Sequence, residues 1–202
     1  MVKVKICGLM DQTTVEAVCA LGADYLGFVF AKSKREVQPE AVAQMTKQVP
    51  STIQKVGVFV SPTLDQVNDV IRRAGLDLVQ IHGELSFETC EVPIIQAKSV
   101  DKQLTLDTKA EYLLLDAPPK EYYGGNGTTF AWERVNPASL PKERLFIAGG
   151  LTTENVGQAI TYFHPYAVDV SSSVETEGKK DLKKIQQFIE TVKENDYVST
   201  TR

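Results

Sequence analysis

Residues 145–170, which read LFIAGGLTTENVGQAITYFHPYAVDV, contain the pattern that decides the fold of this 202-residue chain. An apolar strand is predicted over Leu145–Ala148, a helix over Thr153–Thr161 and a second apolar strand over Ala167–Val170. A strand, a helix and a strand at this spacing form a βαβ unit, whose two strands run parallel. The segment therefore predicts a parallel sheet covered by helices.

The same alternation extends outward from this segment over nearly the whole chain. Six further strands are predicted, at Val2–Ile6, Tyr25–Phe30, Gln54–Val60, Leu78–Ile81, Ile94–Ala97 and Tyr112–Asp116. Helical patterns follow most of them, at Asp11–Leu21, Pro39–Gln48 and from Ser61-Pro62 to Ala74-Gly75, with a final helix over Lys179–Glu194. After the fourth and fifth strands only a short helical piece near Ser86–Cys90 and a weak one over Asp101–Thr108 are expected.

Eight βα units in about 200 residues fit a minimal, single-domain (β/α)8 TIM barrel with a weak or short fifth helix. The alternative is an open doubly wound sheet, which normally has fewer strands. No composition break marks a second domain. We therefore predict a barrel domain over residues 1–194 and a polar, frayed C-terminal tail over residues 195–202.

Composition excludes several classes of protein. The cysteines Cys7, Cys19 and Cys90 contain no CxxC pair, which argues against a disulfide scaffold or a structural zinc site. A net charge of −4 provides no basic surface for nucleic acid, and no apolar run reaches the roughly 18 residues that span a bilayer. We expect a cytoplasmic protein without nucleic-acid or membrane partners, either a monomer or a homodimer.

The active site of a TIM barrel lies at the carboxyl ends of its strands, so the residues that follow each strand are the candidates. Gly149-Gly150 follows the seventh strand, and Ser171-Ser172 follows the eighth. Glycines there let backbone N–H groups approach an anion, and the serine hydroxyls add donors, so these loops predict a phosphate site. The alternative for Gly149-Gly150 is an ordinary tight turn.

Candidate acid–base groups follow the first and sixth strands. The period of two places Lys3, Lys5 and Cys7 on one face of the first strand, where Lys5 would favour a Cys7 thiolate. Asp169 on the eighth strand would lie beside Lys5 in a closed barrel, and we predict an ion pair between them. Asp116 could serve as a general acid if burial raised its pKa. The alternatives are a buried, inert Cys7 and an Asp116 that only caps a turn.

Three further segments could contact a substrate. Arg35, in the cluster Lys32–Arg35, suits a carboxylate, although such a cluster is usually a solvated loop. His82 is either a polar residue at the barrel rim or a hydrogen-bond donor to a substrate. The glycine-rich stretch 124–127 after the sixth strand predicts a mobile lid.

Ordered motifs across almost the whole chain resemble the phosphoribosylanthranilate isomerase family of tryptophan biosynthesis. The similarity begins at Val4-Lys5-Ile6-Cys7-Gly8 and ends at Gly178-Lys179-Lys180-Asp181. Between them it includes Gly27-Phe28-Val29-Phe30, Ser33-Lys34-Arg35, Gln80-Ile81-His82-Gly83, Leu114-Leu115-Asp116, Ala148-Gly149-Gly150-Leu151 and Ala167-Val168-Asp169-Val170-Ser171-Ser172. Motifs in this order are far more specific than any one of them.

The resemblance implies an Amadori rearrangement of N-(5-phosphoribosyl)anthranilate to 1-(2-carboxyphenylamino)-1-deoxyribulose 5-phosphate, without a metal or an organic cofactor. Cys7 falls at the family's general base, Asp116 at its general acid and Arg35 at its contact with the anthranilate group. The loops of Gly149-Gly150 and Ser171-Ser172 fall where the family holds the phosphate. We count His82 and Asp169 as further substrate contacts.

Two competing functions belong to other classes. One is a different sugar-phosphate isomerase or epimerase, and the other is a non-catalytic protein that binds a phosphorylated metabolite. The presence of both Cys7 and Asp116 argues against the non-catalytic protein.

The chain departs from the family pattern at two positions. Ala131 stands where the family commonly has aspartate, which could affect the order of that loop. Ser173 stands where the family often has glycine, so its side chain could crowd the phosphate or require a strained backbone if its φ were positive.

Overall fold

The structure is a computed structural model that describes residues 1–100, 106–116, 132 and 135–200, without the side chains of residues 196–200. Eight parallel strands form a closed barrel in chain order. They are β1 Lys3–Cys7, β2 Tyr25–Val29, β3 Gln54–Val60, β4 Leu78–His82, β5 Ile94–Ser99, β6 Tyr112–Asp116, β7 Leu145–Ala148 and β8 Ala167–Val170. Because β1 pairs with β8, the barrel is confirmed and the open sheet is excluded.

The helices described lie after β1, β2, β3, β7 and β8. They are α1 Gln12–Leu21, α2 Pro39–Met45, α3 Leu64–Ala74, α4 Val156–Phe163 and α5 Leu182–Thr200. Two short antiparallel strands, β9 Glu175–Thr176 and β10 Lys179–Lys180, lie between β8 and α5. Local sequence sets these boundaries: α3, for example, begins with a capping box between Thr63 and Gln66 and ends at Gly75, whose φ is 64°.

The connection between β4 and β5 differs from the prediction. The short helix expected near Ser86–Cys90 is wrong, because that segment is not helical. Its polar groups bond elsewhere: the Glu91 backbone N–H donates to Asn68 Oδ1 at 3.2 Å, and the Cys90 thiol donates to the Val92 carbonyl. In the predicted weak helix 101–108, residues 106–108 are not helical, and residues 101–105 lie outside the described residues. The predicted lid at 124–127 and Ala131 also lie outside them.

The predicted end of the final helix at Glu194 is a second correction, because α5 continues to Thr200. Residues 182–200 contain neither glycine nor proline, so nothing in the sequence stops the helix at residue 194. Asn195 Nδ2 donates to the Thr191 carbonyl at 2.8 Å, and its side chain packs against Gly157 of α4. The start of α5 also moves to Leu182, because Lys179–Lys180 pairs as β10 instead of joining the helix.

The barrel interior changes character from one end to the other. Inward-facing side chains at the amino ends of the strands form an apolar layer that includes Tyr25, Leu78 and Phe146. Further along β4, the same face carries Gln80 and then His82, because side chains alternate with a period of two. The carboxyl end of the barrel is therefore lined by polar groups above an apolar floor. A larger apolar core lies between the strands and the helices.

Candidate active site

A cavity of about 280 Å³ lies at the carboxyl ends of the strands. Every residue predicted for the site except Arg35 lines it: Cys7, His82, Asp116, Gly149, Gly150, Asp169, Ser171 and Ser172. The sequence interpretation did not select Val58, Gln80 and Leu151, which also line the cavity. The alternation Leu78-Gln80-His82 on β4 could have identified Gln80, because it shares the inward face with His82.

Cys7 is buried at the end of β1, directly opposite Gly27 of β2. A Cβ atom built on Gly27 would lie 2.8 Å from Cys7 Sγ and 2.9 Å from Cys7 Cα. The absence of a side chain at Gly27 therefore makes the space that the thiol occupies.

The Gly27→Ala substitution is expected to lower kcat about tenfold or more while the chain still folds. The added methyl group would displace the Cys7 backbone and thiol, and a small misplacement of a reacting group has large kinetic costs. Steady-state kinetics together with a thermal melt would measure both effects. An unchanged kcat would show that the position of the thiol is not critical.

The predicted ion pair between Lys5 and Asp169 is confirmed. Lys5 Nζ lies 2.7 Å from Asp169 Oδ2, and the two side chains are 0% and 7% exposed. Burial alone would lower the pKa of Lys5, but the Asp169 carboxylate and Cys7 hold it above its ordinary value. Lys5 is therefore a buried cation next to the thiol.

The thiol of Cys7 experiences opposing influences. Burial raises its pKa, the charge of Lys5 lowers it and the charge of Asp169 raises it again, and the net effect is an increase. Lys180 is a second cation that lowers it. The thiol form consequently predominates at neutral pH, and the two lysines stabilise the fraction present as thiolate.

Asp116 has the properties that a general acid needs. It ends β6 at the cavity, where burial and the negative charge of Asp169 raise its pKa to about 6, against a smaller opposing effect of Lys5. A carboxyl group with this pKa is partly protonated near neutral pH and can donate a proton.

His82 and Gln80 provide polar groups on the β4 side of the cavity. Burial and the charge of Lys5 lower the pKa of His82, so its imidazole is neutral. Gln80 Nε2 donates to His82 Nε2 at 2.8 Å. Within the described part of the chain, Gln80 Oε1 and Asp169 Oδ1 are buried without a hydrogen-bond partner. Because both side chains line the cavity, these oxygens can accept hydrogen bonds from a bound molecule.

The loops after β7 and β8 form one side of the cavity. Gly149 and Gly150 have φ values of 79° and 68°, a conformation that favours glycine. Ser173, which stands where the family often has glycine, lies in the 3₁₀ turn Ser172–Val174. Its φ is not positive, so the serine does not strain the backbone there. Its hydroxyl donates to the Leu151 carbonyl and joins the two loops.

The first turn of α4 lies further from Gly150 than predicted, because the helix begins at Val156 rather than Thr153. Asn155 links the intervening turn to the loop: its Nδ2 donates to the Gly150 carbonyl at 3.0 Å, and its Oδ1 accepts from the Thr152 backbone N–H at 2.8 Å.

Arg35 lies beside Gly8 at the edge of the cavity rather than in its lining. Its guanidinium donates to both carboxylate oxygens of Glu175, from Nε at 2.7 Å and from Nη2 at 2.8 Å. Lys180 Nζ also donates to Glu175, at 2.9 Å. The sequence interpretation assigned no role to Glu175 or Lys180. The glycine at position 178 favours a turn between them, but Glu177-Gly178 is not one of the dipeptides that signal a two-residue hairpin, so the sequence alone does not place them opposite each other.

The family model described as N-(5′-phosphoribosyl)anthranilate (PRA) isomerase matches residues 4–191 of this chain, which includes every residue that lines the cavity. The chain belongs to the PRA isomerase family. Membership confirms the resemblance and makes the chain an isomerase of tryptophan biosynthesis.

Similar proteins support the assignment to the PRA isomerases. The chain is 50% identical over 197 residues to N-(5′-phosphoribosyl)anthranilate isomerase of Streptococcus mutans, covering 96% of this chain and 100% of the relative. A crystal structure of monomers of the dimeric enzyme from Thermotoga maritima is 35% identical, with a TM-score of 0.80 over 96% of this chain and 100% of that one. A second crystal structure of a PRA isomerase, 34% identical with a TM-score of 0.78 and the same coverage, is a complex with reduced 1-(o-carboxyphenylamino)-1-deoxyribulose 5-phosphate.

Two structural findings concern metals and membranes. Among the described residues, no group of three or more histidine, cysteine, aspartate or glutamate side chains is arranged to hold a metal ion. None of the helices described has both the length and the apolar character that crossing a bilayer requires.

Proposed function

We propose that the cavity at the carboxyl ends of the strands converts N-(5-phosphoribosyl)anthranilate into 1-(2-carboxyphenylamino)-1-deoxyribulose 5-phosphate, with Asp116 as general acid and Cys7 as general base. One observation carries this proposal. The cavity is lined by Asp116, whose carboxyl group has a pKa of about 6, and by Cys7, whose buried thiol lies beside the buried Lys5. The same cavity is lined by the two loops predicted to bind phosphate, those after β7 and β8.

Two proton transfers by side chains, followed by a tautomerisation in which the C2 hydroxyl loses a proton and C1 gains one, account for the rearrangement. Asp116 protonates the ring oxygen of the ribose, and the bond between this oxygen and C1 breaks to leave an iminium ion. The iminium acidifies the hydrogen on C2, and the Cys7 thiolate removes it as a proton. The electrons of that C–H bond form the C1–C2 double bond of an enolamine, which then tautomerises to the aminoketose. Each step transfers a proton or shifts an electron pair within the substrate, so the scheme requires no redox partner.

The remaining residues bind the two charged ends of the substrate. We assign the phosphate to the loops of Gly149-Gly150 and Ser171-Ser172, because loops after the seventh and eighth strands commonly bind phosphate in this fold. Arg35 binds the anthranilate carboxylate. His82 and Asp169 contact the sugar, for which Asp169 offers its unpaired Oδ1.

A turnover assay tests the proposed reaction. Purified protein should consume freshly generated phosphoribosylanthranilate, with loss of the anthranilate-type fluorescence. Activity only on another aldose phosphate would instead favour a different sugar-phosphate isomerase. Binding of a reduced product analogue without turnover would indicate a phosphometabolite-binding protein.

The Arg35→Ala substitution is expected to weaken productive substrate binding by about 1.5–3 kcal/mol, the usual range for a hydrogen bond to a charged group. KM should rise, and the melting temperature should fall as well, because Arg35 donates two hydrogen bonds to the Glu175 carboxylate, whose side chain is 6% exposed. Steady-state kinetics and a thermal melt on the same preparation would measure both. An unchanged KM would remove Arg35 from the site, whatever the change in stability.

We further propose that the enzyme acts in the cytoplasm on its phosphorylated substrate, as a monomer or a homodimer. The relative from Thermotoga maritima is described as dimeric, which makes the homodimer the first state to test. Light scattering on the purified chain distinguishes the two masses.

A further inference from the structure

A two-stranded ribbon directly after β8 brings two ionised side chains together. In this ribbon, β9 and β10 pair so that Glu175 lies opposite Lys180 and Thr176 opposite Lys179. The turn between them has positive φ at both central residues, 52° at Glu177 and 76° at Gly178. Such turns suit two-residue hairpins, and residues directly opposite in the ribbon present their side chains on one face.

Glu175 is a buried carboxylate with cations on two sides. Its side chain is 6% exposed and accepts from Arg35 Nε, Arg35 Nη2 and Lys180 Nζ. Burial alone would raise the pKa of Glu175, but the hydrogen bonds from Arg35 and Lys180 lower it to about 2. Glu175 is therefore ionised throughout the pH range in which an enzyme assay is run.

The geometry of the Arg35 guanidinium leaves one edge for a second anion. Glu175 occupies the edge formed by Nε and Nη2, and within the described residues Arg35 donates its side-chain hydrogen bonds to Glu175 alone. The other edge, formed by Nη1 and the second N–H of Nη2, has the parallel donors that match a carboxylate. Glu175 thus fixes the plane of the guanidinium without occupying the edge that would bind a substrate.

Lys180 connects this ion pair to the catalytic end of the barrel. It is 5% exposed, and its Nζ donates to the Ser171 carbonyl at 2.9 Å and lies 3.4 Å from Ser171 Oγ. Ser171 Oγ in turn donates to the Cys7 carbonyl at 3.1 Å. The ribbon therefore contacts both the loop assigned to the phosphate and the strand that carries the proposed base.

We propose that Glu175 is a positioning residue for the isomerisation: it holds the Arg35 guanidinium so that its free edge meets the substrate carboxylate. Lys180 neutralises Glu175 and fixes the ribbon against Ser171, so the carboxylate end and the phosphate end of the site keep a constant separation. This inference rests on the proposed role of Arg35. The alternative is a cluster that only stabilises the ribbon.

The Glu175→Gln substitution tests the inference, because it keeps the size and one acceptor oxygen but removes the charge. KM should rise about tenfold, which corresponds to about 1.4 kcal/mol, while kcat falls less than about threefold. Glu177→Gln is the matched control, because Glu177 is an exposed carboxylate in the turn of the same ribbon. Its kinetics should match those of the unmodified enzyme.

A double-mutant cycle separates positioning from stabilisation. In an Arg35→Ala background, Glu175→Gln should leave KM unchanged, because no guanidinium remains to be oriented. The inference is overturned if Glu175→Gln raises KM by the same factor in the Arg35→Ala background as in the unmodified enzyme. It is also overturned if Glu175→Gln alone, like the control Glu177→Gln, leaves KM unchanged. If Arg35→Ala alone leaves KM unchanged, the proposed role of Arg35 fails and the inference fails with it.

The conservative variant Glu175→Asp protects the test against a folding failure. A shorter carboxylate should restore part of the affinity, with a KM between those of the unmodified enzyme and Glu175→Gln. If Glu175→Gln does not fold, the same cycle is run with Glu175→Asp, whose effect on KM must likewise disappear in the Arg35→Ala background. An effect that persists there would overturn the inference.

Discussion

The Cys7→Ser variant is expected to lose at least about a hundredfold in kcat, the lower end of the usual contribution of a general base. The space opposite Gly27 accommodates a hydroxyl, so the barrel should fold unchanged. A serine hydroxyl is a far weaker base near neutral pH, and the charges of Lys5 and Lys180 cannot compensate for that difference. Affinity for the reduced product analogue should change little, because the proposed contacts with its phosphate and carboxylate do not include Cys7.

Steady-state kinetics and a binding titration with the reduced product analogue measure these two quantities. Cys19→Ser is the matched control, because Cys19 is a half-buried cysteine on α1 that does not line the cavity. Its kcat should equal that of the unmodified enzyme. If Cys7→Ser retains nearly full turnover, Cys7 is only a packed residue at the end of a strand. The base would then have to be sought at Asp169 or His82.

Local periodicity made much of this site predictable. An alternation with a period of two placed Lys5 and Cys7 on one face of β1, and barrel closure brought β8 alongside, so the Lys5–Asp169 pair followed from sequence. The same reasoning failed between β4 and β5. There the expected helical residues instead bond through side chains, including a contact with Asn68 of the preceding helix. Such contacts depend on the neighbouring element rather than on the local pattern.

Two features of the site depend on contacts that no local pattern contains. Arg35 and Glu175 are 140 residues apart in sequence, and they meet because the ribbon after β8 lies beside the loop after β2. The ribbon strands have two residues each, which is too short for a periodic signal. The second feature is the raised pKa of Asp116, which the sequence does not signal because Asp116 simply ends an apolar strand. Its raised pKa results from burial and from the charge of Asp169, both of which require the closed barrel.

The Asp116→Asn variant is expected to lower kcat at least about a hundredfold and to change how the rate depends on pH. The reaction requires Asp116 protonated and Cys7 as thiolate, although the pKa of about 6 at Asp116 is lower than the raised pKa of Cys7. Below pH 6 the rate rises with pH because thiolate forms while Asp116 stays protonated. Above pH 6 each gain in thiolate is offset by a loss of protonated Asp116, so the rate reaches a plateau. In the variant that break near pH 6 should disappear.

The Asp116→Asn substitution is also expected to stabilise the fold, because the pKa of Asp116 differs between the folded and the unfolded chain. The pKa of Asp116 is about 6 in the folded chain, against an ordinary value of 3.8, so the folded state binds the proton more tightly. Between these values stability falls as pH rises, and above pH 6 the full cost of the buried carboxylate, about 3 kcal/mol, is present. Asparagine has no charge, so the variant should gain most at pH 8 and little at pH 4.

Thermal melts of the unmodified enzyme and of Asp116→Asn at pH 4, 6 and 8, together with their pH–rate profiles, test these two expectations.

The double variant that combines Asp116→Asn with Cys7→Ser should lose less kcat than the product of the losses in the two single variants, because either substitution already stalls the sequence of proton transfers. A stabilised variant with nearly full activity would show that Asp116 is a buried strand-end carboxylate and not the acid. A variant that loses activity without gaining stability at pH 8 would show that the pKa of Asp116 is ordinary. In that case Asp116 would still be required for turnover, but the pH–rate profile of the unmodified enzyme would break near its ordinary pKa of 3.8 rather than near 6.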